Sequence, residues 1–417
     1  MPRSESGPLG VLAIRDFRIL FFGTLAAFTA FFTSTVIQGV VAFELTGSNA
    51  AVGTAVFGQG LGMVLCGPLG GAFADRLPKR RVVAVGQTIA ALSFGTLGVL
   101  YAADRLVLWH LVASSFVFGC AFGFLGPARQ ALAIDLVPPA RVGNAMALSN
   151  VANTLSRVTG PVVAGVLLDW EAAGPAAAYG VMSCLYAASS LSLLMLPKSR
   201  VRPLSAEKHV VHDLVDGLQY AWRAPKLRLL LLFFVSVMLI GFPHVTLIPG
   251  LLENELGRPS QDVTRYALSA AFGALVTSVT VSRFADSPAA VRIYGGMAIG
   301  FGLALAALSA VPSFGAGLAA MFFLGASSGG FHALNGAVVA RETEPAYMGR
   351  VMSLTFLAFA AFSLSALPLG LLADAFGERR VLLGMGVAVV AVAGFMNLRL
   401  AHTDQQLARA QAPEEIG

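Results

Sequence analysis

The chain has 417 residues, of which 56% are hydrophobic and only 12% carry a charge, about half the roughly 25% of an ordinary soluble domain. So little ionised surface excludes a water-soluble globular protein of this length, and a mean hydropathy of +0.76 puts most of the chain against something other than water. The net charge of +6 comes from basic residues dispersed over loops, which argues against a nucleic-acid surface, and Cys66, Cys120 and Cys184 stand in apolar runs with neither disulfide nor metal spacing.

Intervals without Asp, Glu, Lys or Arg run 19–43, 45–74, 82–103, 106–128, 142–168 (interrupted by Arg157), 172–197, 229–252, 266–282, 293–340, 351–373 and 381–398. A helix needs about 20 apolar residues to cross roughly 30 Å of hydrocarbon. The interval 293–340 holds two such helices, with Val311-Pro312-Ser313 as the break, so twelve spans are expected. They read as helices because strands of a membrane barrel would alternate polar and apolar residues. Arg3, Glu5, Arg15, Asp16 and Arg18 make the N-terminus too charged for a cleavable signal peptide. With that terminus inside, 22 of the 28 basic residues fall on the cytoplasmic side, the bias that orients membrane proteins, and both termini are expected in the cytoplasm.

The longest hydrophilic stretch, 197–228, divides the chain into a six-helix bundle at 1–196, a cytoplasmic linker, a second bundle at 229–399 and a cytoplasmic tail at 400–417. Within the linker Val211, Leu214, Val215, Leu218 and Trp222 recur at helical spacing, with His212, Asp213, Asp216 and Gln219 opposite. Such a segment either lies on the lipid headgroups, tethers the halves, or docks a partner.

Internal repetition supports two related halves. Pro139, Gly143, Met146 and Leu148 return 206 residues later as Pro345, Gly349, Met352 and Leu354. Phe73-Ala74-Asp75 returns after 211 residues as Phe284-Ala285-Asp286, and in both copies a basic residue (Arg81, Arg292) follows six positions after the Asp. Asp75, Asp169, Asp286 and Asp374 punctuate the ends of spans 2, 5, 8 and 11. This is the repeat pattern of a rocking carrier.

The segment Gly71-Ala72-Phe73-Ala74-Asp75-Arg76-Leu77-Pro78-Lys79-Arg80-Arg81 resembles the Major Facilitator Superfamily signature between spans two and three, GxxxD(R/K)xG followed by basic residues, with Pro78 in place of the second glycine. Arg15-Asp16-Phe17-Arg18 and Ala128-Arg129-Gln130-Ala131-Leu132 look like the bacterial exporter branch that includes siderophore and multidrug carriers. The resemblance implies an all-α membrane fold of two pseudo-symmetric six-helix bundles in the bacterial inner membrane. It also implies alternating access around a cavity lined by spans 1, 4, 7 and 10, a small-molecule substrate, and a proton gradient rather than a bound cofactor. Gly71, Asp75, Arg76, Arg80, Arg81 and Asp135 then form a conformational latch, with Asp135 as a second acid for Arg80 or Arg81. Gly160-Pro161-Val162-Val163-Ala164-Gly165 resembles the antiporter motif GPxxGG, and its Pro161 is expected to bend span five where it meets the opposite half.

Polar groups within the spans are costly and therefore candidates for the substrate or proton pathway. Arg157 stands in span five with Asn153 and Asn150 one and two turns before it; it faces an anionic substrate, pairs with Asp135, or the trio bonds between helices. His244 after Pro243, and His332 with Asn335, supply groups that titrate near neutrality, or in the case of His244 a ring bonded to a kinked backbone. Gln38 is a pore-lining candidate, and Glu44 is either a proton entry point or a helix end.

No GxxxxGK(S/T) phosphate loop and no catalytic or metal-ligand constellation occurs, so neither an ATP-driven pump nor an enzyme is expected. The leading reading is a monomeric, proton-coupled exporter of small amphipathic molecules among membrane lipids, with a lipid or lysolipid flippase, an importer on the same fold, or a non-transporting membrane receptor or scaffold as alternatives. Asp75→Asn is expected to cut transport while leaving membrane insertion intact, checked by substrate accumulation in cells against the amount of protein in the membrane fraction.

Overall fold

The computed structural model describes residues 8–170, 174–197, 210–344 and 347–411; the side chains of 8, 9, 68–76, 210–214, 353, 356, 357, 359, 404, 405 and 407–411 lie outside the description. Among the described residues every regular element is helical: α1 (Arg15–Thr46), α2 (Asn49–Arg76), α3 (Lys79–Ala102), α4 (Leu108–Asp135), α5 (Val142–Leu168), α6 (Gly174–Leu194), α7 (Val210–Arg223), α8 (Pro225–Ile240), α9 (Ile248–Gly250), α10 (Val263–Ser282), α11 (Ala290–Ser309), α12 (Phe314–Arg341), α13 (Met348–Phe376) and α14 (Glu378–Gln411). Among the described residues ten helices are long and apolar enough to cross a membrane, and Ala360–Phe376 within α13 is a shorter apolar one. With α10 they occupy the eleven charge-free intervals, 293–340 holding both α11 and α12. Helices follow from the medium, since in hydrocarbon each peptide group must find its partner within its own segment.

Two boundaries differ from the expectation. The interval 229–252 is not one helix. α8 stops at Ile240, and a 3-10 turn at Phe242–Thr246, α9 and a π turn at Leu251–Glu255 follow. Pro243 lacks the N–H that an α-helix needs there, so the backbone leaves α geometry at that point, while Pro249 falls in the first turn of α9, where no intrahelical N–H bond is lost. At the other end of the chain α14 runs past Arg399 to Gln411.

α1 ends at Gly47, whose φ of 65° is the left-handed geometry of a helix cap, with its amide bonded to the Phe43 carbonyl at 2.6 Å. α2 therefore begins only two residues beyond it, at Asn49.

The helices form two compact units. One contains 1–210 together with 246–268 and 366–374; the other contains 211–245, 269–365 and 375–417. In the first, Phe17, Leu20, Val83, Leu125, Leu132 and Leu148 form a buried core, and Phe94 stacks on Tyr186 with centroids 5.7 Å apart. In the second, Tyr294 stacks on Phe331 at 4.4 Å, and Tyr294 donates its hydroxyl to Asn335 Oδ1 at 3.1 Å.

The repeat in the sequence is a repeat in packing. A Cβ on Gly62 of α2 would overlap the Phe116 carbonyl of α4, and one on Gly119 of α4 would overlap the Gln59 carbonyl of α2. Gly273 of α10 meets the Phe322 carbonyl, and Gly325 of α12 meets that of Ala270, in the same way. Gly273 lies 211 residues after Gly62 and Gly325 lies 206 after Gly119, the two offsets of the repeated motifs. Lipid tails are as apolar as leucine, so helices associate through close backbone approach, which only glycine permits at these crossings.

α7 is the helix of the linker. Tyr220 stacks on Tyr347 with centroids 4.1 Å apart, its hydroxyl accepts the Glu344 amide at 3.0 Å, and Gly217 lies against Arg350. Val215, Leu218 and Trp222 of the apolar stripe are exposed on its other side, while Val211 and Leu214 lie outside the described side chains.

Valine at Gly119 or Gly325 is expected to destabilise the protein by about 1–3 kcal/mol through overpacking, whereas Gly126→Ala, where a Cβ meets nothing within 4 Å, should change little. Thermal unfolding of the purified variants in detergent measures the difference.

Candidate functional site

Phe28 and Phe32 stand four residues apart on α1, so their rings lie on one face. Each carries a guanidinium: Arg129 of α4 lies 5.4 Å from the Phe28 centroid, and Arg157 of α5 lies 5.2 Å from that of Phe32. Arg157 Nε donates to Asn153 Oδ1 at 3.4 Å, while Arg129 Nε is buried without a hydrogen-bond partner among the described residues. Neither cation has a carboxylate partner among the described residues. A desolvated cation over a ring gains on the order of 2 kcal/mol, less than the several kcal/mol that burial of a charge away from water costs. The face is thus electropositive, aromatic and short of acceptors, so it can hold a solute that presents an apolar body and an electron-rich or anionic group.

Polar contacts set α5 onto α1 beside that face. Thr29 and Thr159 hydroxyls are 2.9 Å apart, Thr33 donates to the Gly160 carbonyl at 3.1 Å, and Ser156 donates to the Leu25 carbonyl at 3.2 Å. A Cβ on Gly160 would collide with the Phe32 backbone. Of the antiporter-like residues, Gly160 therefore packs on α1. Pro161 is buried beside it, and a Cβ on Gly165 would make ordinary contact at 3.4 Å with Thr264, in the segment 246–268.

The remaining predicted residues separate. Gln38 accepts from Ser115 Oγ at 3.0 Å, a bond from α1 to α4. Asn150 is exposed. Asp135 pairs with Lys79 at 2.7 Å, so it is partner to neither Arg80, Arg81 nor Arg157; the expectation fails because Asp135 ends α4 beside the start of α3. Arg80 donates to the carbonyls of Leu194 and Leu196, capping the end of α6, and Arg81 is exposed. Gly71, Asp75 and Arg76 lie outside the described side chains. His244 is buried with Nδ1 2.8 Å from the Gly241 carbonyl, closing the break after α8. His332 stands edge-on to Phe234 and Phe242, while Asn335 turns to Tyr294; the two are three residues apart and do not form one cluster.

Two features escaped the reading of the sequence as site residues. Arg129 follows the charge-free interval 106–128 and so read as a loop residue, yet α4 continues through it to Asp135; buried Ala128 and Leu132 at helical spacing are the signal for that continuation. Asp374, legible only as the last of four punctuating aspartates, clasps the start of α2. Its Oδ1 accepts the Asn49 amide at 2.8 Å and Asn49 Nδ2 at 3.0 Å, and its Oδ2 accepts Ser48 Oγ at 2.5 Å and the Ala50 amide at 3.0 Å. Nearby, Glu44 accepts from Gln261 Nε2 at 3.2 Å and Ser260 Oγ at 3.4 Å.

The model of the Major Facilitator Superfamily matches residues 20–363. The chain belongs to that superfamily and is a multi-pass membrane transporter, not an enzyme. Macrolide efflux protein A of Streptococcus pyogenes is 22% identical over 380 residues, spanning 87% of this chain and 91% of that protein. Multidrug resistance protein MdtH of Citrobacter koseri is 26% identical over 212 residues, 51% of this chain and 48% of its own length. Among solved structures, the nucleoside transporter NupG aligns with a TM-score of 0.76 at 14% identity, covering 92% of this chain and 99% of that one. A bacterial homologue of the human lysosomal transporter Spinster aligns with a TM-score of 0.75 at 14% identity, covering 93% and 96%. These two likenesses show the fold.

Replacing Arg129 by Met removes an unpaired buried charge. Transport is expected to fall by roughly tenfold, equivalent to ~1.4 kcal/mol of lost solute binding, while the thermal midpoint holds or rises. A structural role for Arg129 predicts a lower midpoint, so transport assay and unfolding curve together decide.

Proposed function

We propose that the chain is a secondary active exporter of small amphipathic molecules, drug- or siderophore-like, working by alternating access and driven by proton antiport. The observation that carries this reading is the α1 face on which Phe28 and Phe32 bear the guanidiniums of Arg129 and Arg157. An apolar ring surface with two unneutralised cations suits a greasy solute with an electron-rich group, and efflux relatives aligned along most of the chain support the outward direction. Arginine keeps its proton at any physiological pH, so the coupling proton belongs on a carboxylate or imidazole. Glu44, Asp135, His244 and His332 are the candidates, the inner membrane of a bacterium is the setting, and a monomer is the working unit.

Alternating access needs contacts that hold one state and part in the other. The Asp374 clasp and the Glu44 bonds suit that role at the end which the basic-residue bias places outside the cell. The carboxylate of Asp374 meets the positive end of the α2 dipole, the arrangement of a helix N-cap supplied by a distant segment. Loss of one N-cap is worth about 1 kcal/mol.

The function is tested by measuring intracellular dye, antibiotic and siderophore in cells with and without the protein. Lower accumulation that a protonophore abolishes is the expected result. Equal accumulation across all solutes sinks the export reading, and lipid movement in vesicles lacking a pH gradient replaces it with a flippase. For the clasp, Asp374→Ala is expected to speed labelling of a Thr264→Cys protein by a membrane-impermeant thiol reagent, roughly fivefold for a lost cap. Thr264 is buried in the intact protein, and an unchanged labelling rate removes Asp374 from the gate.

A further inference from the structure

The two halves repeat one basic corner, with the sign of charge reversed at one equivalent position. In the first half Lys79, beside Arg80 and Arg81, is neutralised by Asp135 at 2.7 Å. In the second, Arg292 stands 211 residues after Arg81, and the position 206 residues after Asp135 is Arg341. The acid of the first copy is thus a base in the second.

Both arginines line one cavity of about 580 Å³ in the second unit, together with Lys226, Glu342 and Asn397. Glu342 is committed to Lys226 at 2.8 Å. Arg341 gives one Nη1 hydrogen bond, to the Ser287 carbonyl at 2.8 Å, and Arg292 has no ion pair among the described residues. Three cations against one carboxylate leave an excess of two positive charges. Asn397 lies against Gly295, where any Cβ would overlap its amide, so the glycine makes the room that brings a neutral donor to the same space. Arg292 is in the first turn of α11, Arg341 is the last residue of α12 and Lys226 opens α8; all three cations sit at helix ends. Deeper in the cavity the lining turns apolar, at Ile299, Val338 and Leu400, and Gly296 and Ala401 beside them are exposed. Charge at the helix ends and an apolar wall further along the helices match a molecule with an anionic head and a hydrocarbon tail.

We propose that this cavity binds a phosphate oxyanion, and that the charge supplied by Asp135 in the first half is supplied here by a ligand. A phospholipid headgroup and a soluble phosphate share that chemistry. The lipid fits better, because basic clusters between membrane helices at headgroup depth attract anionic lipids and the apolar lining has no use for an inorganic ion.

The experiment uses the full chain, purified and delipidated in detergent. Bound dioleoyl phosphatidylglycerol is measured by native mass spectrometry against dioleoyl phosphatidylcholine, and sodium phosphate is titrated separately with the unfolding temperature as readout. Preferential retention of phosphatidylglycerol is expected, falling roughly fivefold for each arginine removed in Arg292→Gln and Arg341→Gln. Arg292 is exposed, so its variant keeps the fold; Arg380→Gln, at the opposite end of the helices, should retain the lipid. Arg341→Asp restores the charge pattern of the first half and is expected to abolish retention while raising the unfolding temperature. A phosphate-induced shift that the same variants remove, without lipid retention, supports the anion site and assigns it to a soluble ligand. Equal retention of both lipids by wild type and by Arg341→Asp, with no response to phosphate, overturns the proposal.

Discussion

A peptide group in hydrocarbon has no water to bond, and this constraint shapes the whole molecule. Each span satisfies its own backbone, so nothing in the backbone ties one helix to the next, and the apolar side chains gain nothing from leaving lipid for protein. What remains is the distance of closest approach. Gly62 and Gly119 bring α2 against α4, and Gly273 and Gly325 bring α10 against α12, each with backbone in contact with backbone. Gly160 does the same for α5 on α1, and by doing so delivers Arg157 to the ring of Phe32. The candidate binding face is therefore a product of helix packing, not of a loop.

Charge supplies the second layer of organisation. Several ionic groups in the described structure are closed internally: Asp262 by Arg258 at 2.7 Å and Arg265 at 2.9 Å, Asp135 by Lys79, Glu342 by Lys226, Asp374 by the start of α2. Arg129 and Arg157 break this pattern inside the first unit, and Arg292 and Arg341 break it in the second. Arg129 and Arg157 stand within their helices, where an unpaired charge is expensive, and Arg292 and Arg341 gather at one cavity; these are the places proposed for a second molecule. The two places differ in kind. The first combines cations with aromatic rings, which suits the proposed transported solute; the second combines cations at helix ends with an aliphatic wall, which suits the proposed anion.

Helix breaks form a third layer. The span that opens with α8 loses regular geometry at Gly241 and Pro243, where His244 bonds back to the Gly241 carbonyl, and a π turn follows α9. The segment beyond this break, 246–268, joins the first unit. It brings Ser260 and Gln261 to Glu44, and Thr264 to Gly165.

The spans, the repeat and the superfamily were legible in the sequence because the cost of a charge in lipid is local: the charge-free intervals mark the helices one by one, without reference to any neighbour. The glycine crossings follow the same offsets as the repeated motifs, but only the packed helices single these glycines out. Partnership was not legible either. Asp135 was assigned to Arg80 or Arg81 and belongs to Lys79, Arg129 was placed in a loop and lies on Phe28, and Asp374 was a punctuation mark until folding set it against Asn49. Val215, Leu218 and Trp222 announced an apolar stripe, but only the stack of Tyr220 on Tyr347 decided that this stripe points outward. Composition along the chain determines which segments enter the membrane. Which charge meets which partner depends on the rotation and separation of packed helices, and those are settled by side-chain shape at crossings between residues far apart in sequence.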